Sequence, residues 1–259
     1  MIRQKKSLGQ NFLIDNNIIN KIIESVNISN NDTVIEIGPG SGNLTKRLLS
    51  KDPKKFIVIE KDILLCQKLE KVFSKKIQIL NEDFLKTKIN IFQEKEIIVF
   101  GNLPYNISSQ ILIKLIKLQF SKIKFKYLIL MFQKEVADRI TAKINTKSYG
   151  RLSVISQWRM NIKKITDVNP KSFYPIPKVK SSLLLFTPKK EFYPLDNIES
   201  LEHVTKTFFN YRRKMVKKPL SILFRNKDEI AKENKLNLND RPQNISPKIF
   251  YKLSNEYRF

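Results

Sequence analysis

The sequence predicts an α/β fold in which a mostly parallel sheet with crossover helices is followed by a small all-α domain. Up to Pro188, short runs rich in β-branched and aromatic residues alternate with helical patterns, which is typical of parallel strands joined by crossover helices. After Pro188 a polar connector leads into helical patterns alone. The predicted division is therefore residues 1–188, beginning with a basic N-terminal arm at residues 1–13, and residues 189–259.

The predicted elements follow from hydrophobic periodicity. Apolar runs bounded by polar or glycine-containing turns predict strands at residues 33–37, 56–60, 77–80, 97–100, 127–132 and 182–186. Apolar residues at helical spacing predict helices at residues 43–49, 62–73, 107–118, 134–144, 198–210, 212–224 and 246–253. Three prolines between residues 167 and 181 predict an ordered loop there.

The chain is strongly basic. Its 259 residues include 49 Lys and Arg against 24 Asp and Glu, a formal net charge of +25. An extended polyanion such as nucleic acid is the natural partner for this charge, although a lysine-rich composition also produces a merely solvated basic surface. Arginine is the more informative cation, because its planar guanidinium donates two hydrogen bonds to one phosphate. Arg139, Arg151, Arg212 and Arg213 are therefore the candidate phosphate contacts.

Several classes of protein are excluded by composition. The single cysteine, Cys66, excludes an intrachain disulfide, and the single histidine, His203, is too few for a Cys/His zinc cluster. No metal is expected. The N-terminus lacks the apolar stretch of a signal peptide, and the apolar runs are too short to span a bilayer. The protein is expected to be soluble and cytoplasmic, with no membrane partner.

Candidate cofactor residues stand at the ends of the first three predicted strands. Gly38, Gly40 and Gly42 form a G-x-G-x-G turn, which alone is a weak signal because it lacks the dinucleotide spacing G-x-G-x-x-G. Glu60 ends the second strand, where a carboxylate accepts hydrogen bonds from ribose hydroxyls, and Asp83 follows the third, where an acceptor reads an adenine amino group. Each acid alone has an ordinary explanation as a cap or solvated charge. Together they predict an adenosine-containing cofactor.

The fourth strand of this series runs into Asn102, Leu103, Pro104 and Tyr105. Pro104 fixes its own φ and forces Leu103 toward an extended conformation, which fixes the direction of the backbone carbonyls. The Asn102 amide oxygen and the carbonyl of Leu103 or Pro104 are then able to accept both hydrogens of one NH₂ group. The Tyr105 ring offers a stacking face worth about 1–3 kcal/mol for a nucleobase. The segment predicts chemistry on an exocyclic amine.

In these features the sequence resembles the class I S-adenosylmethionine-dependent methyltransferases, and among them the ribosomal RNA adenine N6 dimethyltransferases of the KsgA/Dim1 type. The resemblance covers essentially the whole chain. Beyond the strand ends it includes residues 10–13 (Gln-Asn-Phe-Leu), 173–181 (Phe-Tyr-Pro-Ile-Pro-Lys-Val-Lys-Ser) and 212–214 (Arg-Arg-Lys). It implies a Rossmann-like, seven-stranded and mostly parallel sheet with helices on both faces, and a helical C-terminal domain that binds RNA.

The resemblance also implies roles for individual residues. The S-adenosylmethionine site would include Asn11, Leu13, Gly38, Gly40, Glu60, Asp83 and Asn102. The target adenine would be held by Asn102, Leu103, Pro104, Tyr105 and Phe173, and the RNA by Arg139, Arg151, Arg212, Arg213 and Lys214. Plain packing is the alternative role for Phe173 and for Leu13.

The implied substrate is 16S ribosomal RNA within the small subunit or its precursor. Two adjacent adenosines in a loop near the 3′ end would receive methyl groups at N6 from a monomeric enzyme during ribosome biogenesis. S-adenosylhomocysteine would be the product of the cofactor.

Two alternatives remain open. The first is a large-subunit methyltransferase of the erythromycin-resistance type, against which stand Leu103, where isoleucine is expected in that group, and the following Asn106, Ile107 and Ser108. Proline in place of Leu103 would instead suggest DNA adenine or protein glutamine methylation. The second is a checkpoint factor that binds immature small subunits without catalysis. The presence of Glu60, Asp83 and Asn102 argues for retained chemistry.

Overall fold

The computed structural model describes residues 10–88, 97–121 and 123–257, so most of the predicted N-terminal arm lies outside the described residues. The strands are β1 (Phe12–Leu13), β2 (Thr33–Ile37), β3 (Lys55–Glu60), β4 (Gln78–Asn81), β5 (Ile97–Asn102), β6 (Phe125–Gln133), β7 (Met160–Val168), β8 (Phe173–Tyr174) and β9 (Ser181–Pro188). The helices are α1 (Asn16–Glu24), α2 (Asn43–Leu49), α3 (Ile63–Phe73), α4 (Ser108–Phe120), α5 (Lys134–Ile140), α6 (Arg151–Ser156), α7 (Ile198–Asn210), α8 (Lys217–Leu223), α9 (Lys227–Glu233) and α10 (Pro247–Glu256).

Within the described residues, seven strands form one sheet in the order β4-β3-β2-β5-β6-β9-β7. The pairs from β4 to β6 are parallel, whereas β9 runs antiparallel to β6. Central parallel strands are apolar throughout because both of their faces are covered, and Ile97, Ile98, Val99 and Phe100 of β5 are fully buried. The predicted α/β class with a seven-stranded, mostly parallel sheet is confirmed. The carboxyl ends of β2, β3, β4 and β5 consequently meet at one edge.

A separate two-stranded sheet joins the N-terminal segment to the proline-rich region. Strand β1 pairs antiparallel with β8, and Leu13 lies opposite Phe173. The sequence predicts a loop over residues 167–181, and this prediction is wrong at β8 and at the end of β7. Strand β7 itself is not predicted, because an edge strand with exposed Lys163 and Lys164 lacks the apolar alternation of a half-buried strand.

Two helices are at least four residues shorter than predicted. Helix α5 ends at Ile140 instead of residue 144, and α8 begins at Lys217 instead of Arg212. Pro219 explains the second difference, since proline is tolerated in the first turn of a helix, whereas deeper inside its ring clashes with the carbonyl of the residue four positions earlier. Arg212 therefore lies in a turn before α8.

The chain folds as two compact units. The first runs to Ala137 and resumes over Asn161–Pro188, and the second comprises Asp138–Met160 and the chain from Lys189 onward. One boundary between the units lies at Pro188, whereas residues 138–160, which the predicted division assigns to residues 1–188, belong to the second unit. The placement of Asp138–Met160 in the second unit is not predicted, because local periodicity carries no information about which distant helices a segment contacts.

Buried hydrogen bonds and ring contacts hold the second unit together. The Tyr149 hydroxyl donates to the Ile245 carbonyl and the Tyr251 hydroxyl donates to the Val154 carbonyl, each at 3.0 Å. The rings of Phe208 on α7 and Phe250 on α10 meet edge to face with centroids 5.3 Å apart. Across the described ranges of both units, no helix has the length and apolar character that crossing a membrane requires.

Candidate active site

A cavity opens at the carboxyl ends of the parallel strands of the first unit. Its volume is about 1210 Å³ including space open to solvent. Its lining includes Asn11, Leu13, Gly38, Gly40, Glu60, Asp83, Asn102, Leu103, Pro104 and Tyr105. The structure thus brings together the candidate cofactor and adenine-binding residues except Gly42 and Phe173, which do not line the cavity.

The glycine turn between β2 and α2 presents bare backbone to this cavity. Gly38, Gly40 and Gly42 have φ angles of +69°, +57° and +84°, a left-handed region in which any other residue is strained. A Cβ added at Gly40 would lie 2.7 Å from the Phe12 ring. Glycine at this position is therefore needed both for the turn and for the close approach of β1.

Glu60, at the end of β3, fixes the position of the glycine turn. One carboxylate oxygen accepts a hydrogen bond from the Gly40 amide at 3.2 Å, and the other accepts from the Asp62 amide at 2.9 Å. Burial raises the pKa of Glu60, and these two donors oppose the rise. Because each carboxylate oxygen has a second lone pair, Glu60 keeps acceptor capacity for ribose hydroxyls.

Glu36 also lines the cavity, although the sequence does not predict a role for it. It is 2% exposed and accepts a hydrogen bond from the Thr45 hydroxyl at 2.7 Å. Burial raises the pKa of Glu36 to about 8, against the effect of Thr45, and the nearby charge of Glu60 adds to the rise. The available signal was a single acid among the apolar residues Val34, Ile35 and Ile37 of β2.

Asp83 lies just beyond β4 with both carboxylate oxygens bonded. One oxygen accepts from the Lys61 ammonium at 3.0 Å, and the other accepts from the Leu85 amide at 2.9 Å. Partial burial alone would raise the pKa of Asp83, but these donors hold it below its usual value. Asp83 is therefore an ionised acceptor, suited to an amino group.

Lys114 on α4 anchors the loop that carries Asp83. Its ammonium donates to the carbonyls of Phe84 and Thr87, both at 2.7 Å. Burial lowers the pKa of Lys114, while the neighbouring Asp83 and Glu82 raise it. A lysine on an amphipathic helix gives no sequence signal for this contact, which joins the loop to the helix that follows Tyr105.

Two asparagine amides hold the N-terminal segment over the cavity. The Asn102 side-chain NH₂ donates to the Asn11 carbonyl at 2.7 Å, and the Asn43 side-chain NH₂ donates to the Leu13 carbonyl at 2.8 Å. Since a carbonyl only accepts, these bonds fix which end of each amide faces the segment. The amide oxygen of Asn102 is consequently the end left for another partner.

The remaining residues of the tetrapeptide are also fixed. The Pro104 carbonyl accepts from the Ile107 amide at 3.2 Å, which favours the Leu103 carbonyl as the second acceptor for an amine. The Tyr105 hydroxyl lies 2.7 Å from the Ser181 hydroxyl of β9. Burial raises the pKa of Tyr105, so the phenol stays neutral.

Phe173 does not line the cavity. It is 1% exposed, lies opposite Leu13 in the β1–β8 register and packs in the hydrophobic core. The next residue, Tyr174, is 59% exposed. In this conformation the Phe173 ring has the packing role that the sequence left open, and no face of it is available to a base.

The candidate RNA-binding residues lie in the second unit. Arg139, Arg213 and Lys214 are exposed. Arg151 instead forms an ion pair with Glu202 at 3.1 Å, and Arg212 donates to the Lys147 carbonyl. Arg151 thus already has an anionic partner within the protein, whereas Arg139, Arg213 and Lys214 lie on the exposed surface of the second unit.

The sequence of this chain is similar to those of known proteins. A family model described as ribosomal RNA adenine dimethylase matches residues 1–258. Ribosomal RNA small subunit methyltransferase A of Pelagibacter ubique (strain HTCC1062) is 50% identical over 256 residues, covering 99% of this chain and 97% of that protein. The protein of the same name from Wolbachia sp. subsp. Drosophila simulans (strain wRi) is 39% identical over 259 residues, covering 98% and 94%.

Solved structures agree with the fold. A dimethyladenosine transferase from Plasmodium falciparum superposes with a TM-score of 0.78 at 29% identity, covering 93% of this chain and 95% of that one. The 23S rRNA methyltransferase ErmE superposes with a TM-score of 0.67 at 22% identity, covering 95% and 99%. At that identity the second likeness concerns the fold alone.

Proposed function

Since the chain belongs to the ribosomal RNA adenine dimethylase family, we propose that it transfers methyl groups to N6 of two adjacent adenosines in a loop near the 3′ end of 16S ribosomal RNA. The product at each position is N6,N6-dimethyladenosine. The observation that carries this proposal is the orientation of Asn102, whose amide NH₂ is bonded to the Asn11 carbonyl. Its oxygen is thereby left as an acceptor beside Tyr105 on the cavity wall.

The cofactor is S-adenosylmethionine, and its sulfonium supplies an electrophilic methyl group. The bare backbone of Gly38 and Gly40 fits a ligand that approaches closely. Glu60 and Asp83 provide acceptors for the ribose and for the adenine amine. Asn11, Leu13 and Asn102 complete the proposed binding site.

The protein's contribution to the chemistry is to orient the target amine. The N6 lone pair of adenine is delocalised into the ring and is a poor nucleophile. The Asn102 oxygen and the Leu103 carbonyl accept the two N6 hydrogens. The nitrogen then becomes more tetrahedral, and its lone pair is directed out of the plane of the adenine ring. Positioning and fixed dipoles then lower the barrier. Asn102 is no base, so the proton released after transfer passes to water.

Stacking holds the base in place. Tyr105, whose ring position is fixed through Ser181, offers one face to the adenine. We propose that Phe173 stacks on the other face of the adenine. This role requires the Phe173 ring to leave the core, where it packs against Leu13 in this conformation. Extraction of the base costs less in an unpaired loop than in a helix.

The proposed partner is the small ribosomal subunit or its precursor. Exposed Arg139, Arg213 and Lys214 supply phosphate contacts, with Arg212 beside them in sequence, and the net charge of +25 supplies long-range attraction. We place the activity in the cytoplasm, where ribosomes assemble, and expect a monomer. Arg151, paired with Glu202, contributes to the fold of the second unit instead.

Labelled S-adenosylmethionine and purified subunits test the proposal. The protein is incubated with undermethylated small subunits and, separately, with undermethylated large subunits, and the modified base is mapped. We expect label at two adjacent small-subunit adenosines, present as N6,N6-dimethyladenosine. Label in the large subunit would support the erythromycin-resistance alternative. Tight binding of small subunits with no transfer would support the checkpoint alternative.

A further inference from the structure

We propose that Asn43 is a positioning residue for methyl transfer: by holding strand β1 it fixes the orientation of the Asn102 amide. Asn43 is the first residue of α2 and follows Gly42 of the glycine turn. Its position in sequence suggests only a helix start. The inference rests on the proposed function, because it concerns the acceptor that binds the adenine amine.

The backbone of β1 alternates between two edges. In an extended strand the N–H and C=O of one residue point to the same side, and those of the next residue point to the other. The Ile14 amide donates to the Ser172 carbonyl at 2.9 Å, so Ile14 faces β8. Asn11 and Leu13 must then face the opposite edge, which β8 does not cover.

The two asparagines provide the donors at that uncovered edge. Asn43 donates to the Leu13 carbonyl at 2.8 Å and Asn102 donates to the Asn11 carbonyl at 2.7 Å. Together the two side chains donate the hydrogen bonds that a neighbouring strand would donate to these carbonyls. Leu13 is 4% exposed, so its carbonyl would be buried without a partner if the Asn43 amide were removed.

Asn102 depends on Asn43 through this strand. The Asn11 carbonyl keeps the Asn102 NH₂ turned away from the substrate, and its position is set by the bond that Asn43 makes two residues further along. The ring of Phe12, between them, lies close to Gly40, where an added Cβ would be 2.7 Å from it. If β1 shifts, the Asn102 amide is free to rotate and present NH₂ to the adenine amine, where two donors oppose each other.

A double-mutant cycle tests this dependence. Single-turnover methyl transfer to the RNA is measured at saturating S-adenosylmethionine for the parent, Asn43→Ala, Asn102→Ala and the double variant. We expect Asn43→Ala to lower the rate about tenfold or more, as small misplacements of reacting groups do. In the Asn102→Ala background the same change should alter the residual rate by less than about twofold, because the effects of coupled residues are not additive.

Controls separate this role from folding and from cofactor binding. Asn30→Ala changes an exposed asparagine before β2 and should keep the parent rate. If Asn43→Ala does not fold by circular dichroism, the cycle is run with Asn43→Asp, which keeps the size, removes the donor and suits the start of a helix. Losses that multiply in the double variant, or a loss that disappears at saturating cofactor, would overturn the inference. If the parent methylates no adenine N6, the proposed function fails, whatever Asn43 does.

Discussion

The hydroxyl oxygen of Tyr105 lies 2.7 Å from that of Ser181, which joins the proposed base-stacking ring to the antiparallel strand β9. Ser181 is fully buried and Tyr105 is partly buried, so water competes little for this bond. The ring is therefore held at a fixed angle beside Asn102. Its orientation depends on a residue 76 positions away in the sequence.

Removing this bond should loosen the stacking ring. We expect Ser181→Ala to reduce methyl transfer several-fold and to lower the free energy of unfolding by about 1 kcal/mol, the usual net value of one hydrogen bond. Tyr105→Phe should give the same loss, and the two changes together should give no more. The matched control is Ser182→Ala, which removes the neighbouring hydroxyl that bonds Asp167 at 2.6 Å. Equal losses of activity in both serine variants would contradict a specific role for Ser181.

The glycine turn should not tolerate a side chain at Gly40. Its φ of +57° and the 2.7 Å distance from an added Cβ to the Phe12 ring mean that Gly40→Ala must displace β1 or the turn. We expect a loss of at least about 1 kcal/mol in the free energy of unfolding and a strongly raised cofactor dissociation constant, measured by calorimetry. Gly150→Ala is the control, since the nearest atoms would be 4.0 Å from its Cβ and its φ is −172°. Unchanged cofactor affinity in Gly40→Ala would show that β1 does not depend on this contact.

Burial of Glu36 should make stability depend on pH. Its pKa is raised from 4.5 to about 8 in the folded protein, so the native state keeps a proton that the unfolded state has already released. The resulting stabilisation is fully present below pH 4.5 and is lost as the pH rises through 8. Relative to Glu36→Gln, the free energy of unfolding of the parent should therefore fall between pH 5 and pH 8, by up to about 1.4 kcal/mol per pH unit.

Urea unfolding at several pH values measures this difference for the cofactor-free protein. Glu24→Gln serves as control because Glu24 is exposed at the end of α1. Its unfolding free energy should run parallel to that of the parent. A constant difference between the parent and Glu36→Gln across the range would mean that Glu36 titrates like an exposed carboxyl.

The exposed cations of the second unit should govern the salt dependence of RNA binding. Neutralising Arg213 and Lys214 together should reduce the slope of log affinity against log salt by up to about 2, because each phosphate contact releases about one counterion. Arg151→Ala should leave the slope unchanged, since Arg151 is paired with Glu202 at 3.1 Å. Filter binding from low to moderate salt measures both. A slope that changes for Arg151→Ala and stays constant for the other variant would reverse the assignment.

Local patterns were sufficient for much of the fold. Strand β2 and helices α2 and α7 begin and end where the sequence predicts. The apolar residues of the two helices recur at helical spacing, and those of β2 form a short run that ends at the glycine turn. The edge strand β7 escapes prediction because its exposed lysines hide the pattern. The early start predicted for the helix at Arg212 fails because Pro219 limits how far α8 extends toward the N-terminus.

The residues of the candidate site also fall into those that the sequence predicts and those that it does not. Residues at strand ends, such as Glu60 and Asp83, are predictable since parallel strands share one edge. Residues that act through distant partners are not, and Asn43 bonds a carbonyl 30 positions away, whereas Asn102 bonds one 91 positions away. Phe173 is the opposite case, a residue predicted to belong to the site that lies outside the cavity. Its sequence motif does not reveal that its ring packs in the core in this conformation.

In the proposed mechanism, methyl transfer depends most directly on the Asn102 amide oxygen as an acceptor for the adenine N6 amine. Single-turnover transfer by Asn102→Ala to undermethylated small subunits, at saturating cofactor and with the modified base mapped, tests it. We predict a loss of at least about 100-fold, comparable with removing one preorganised polar group from an active site. RNA affinity should stay within about twofold of the parent. Transfer to adenine N6 at a near-normal rate would contradict this role of Asn102.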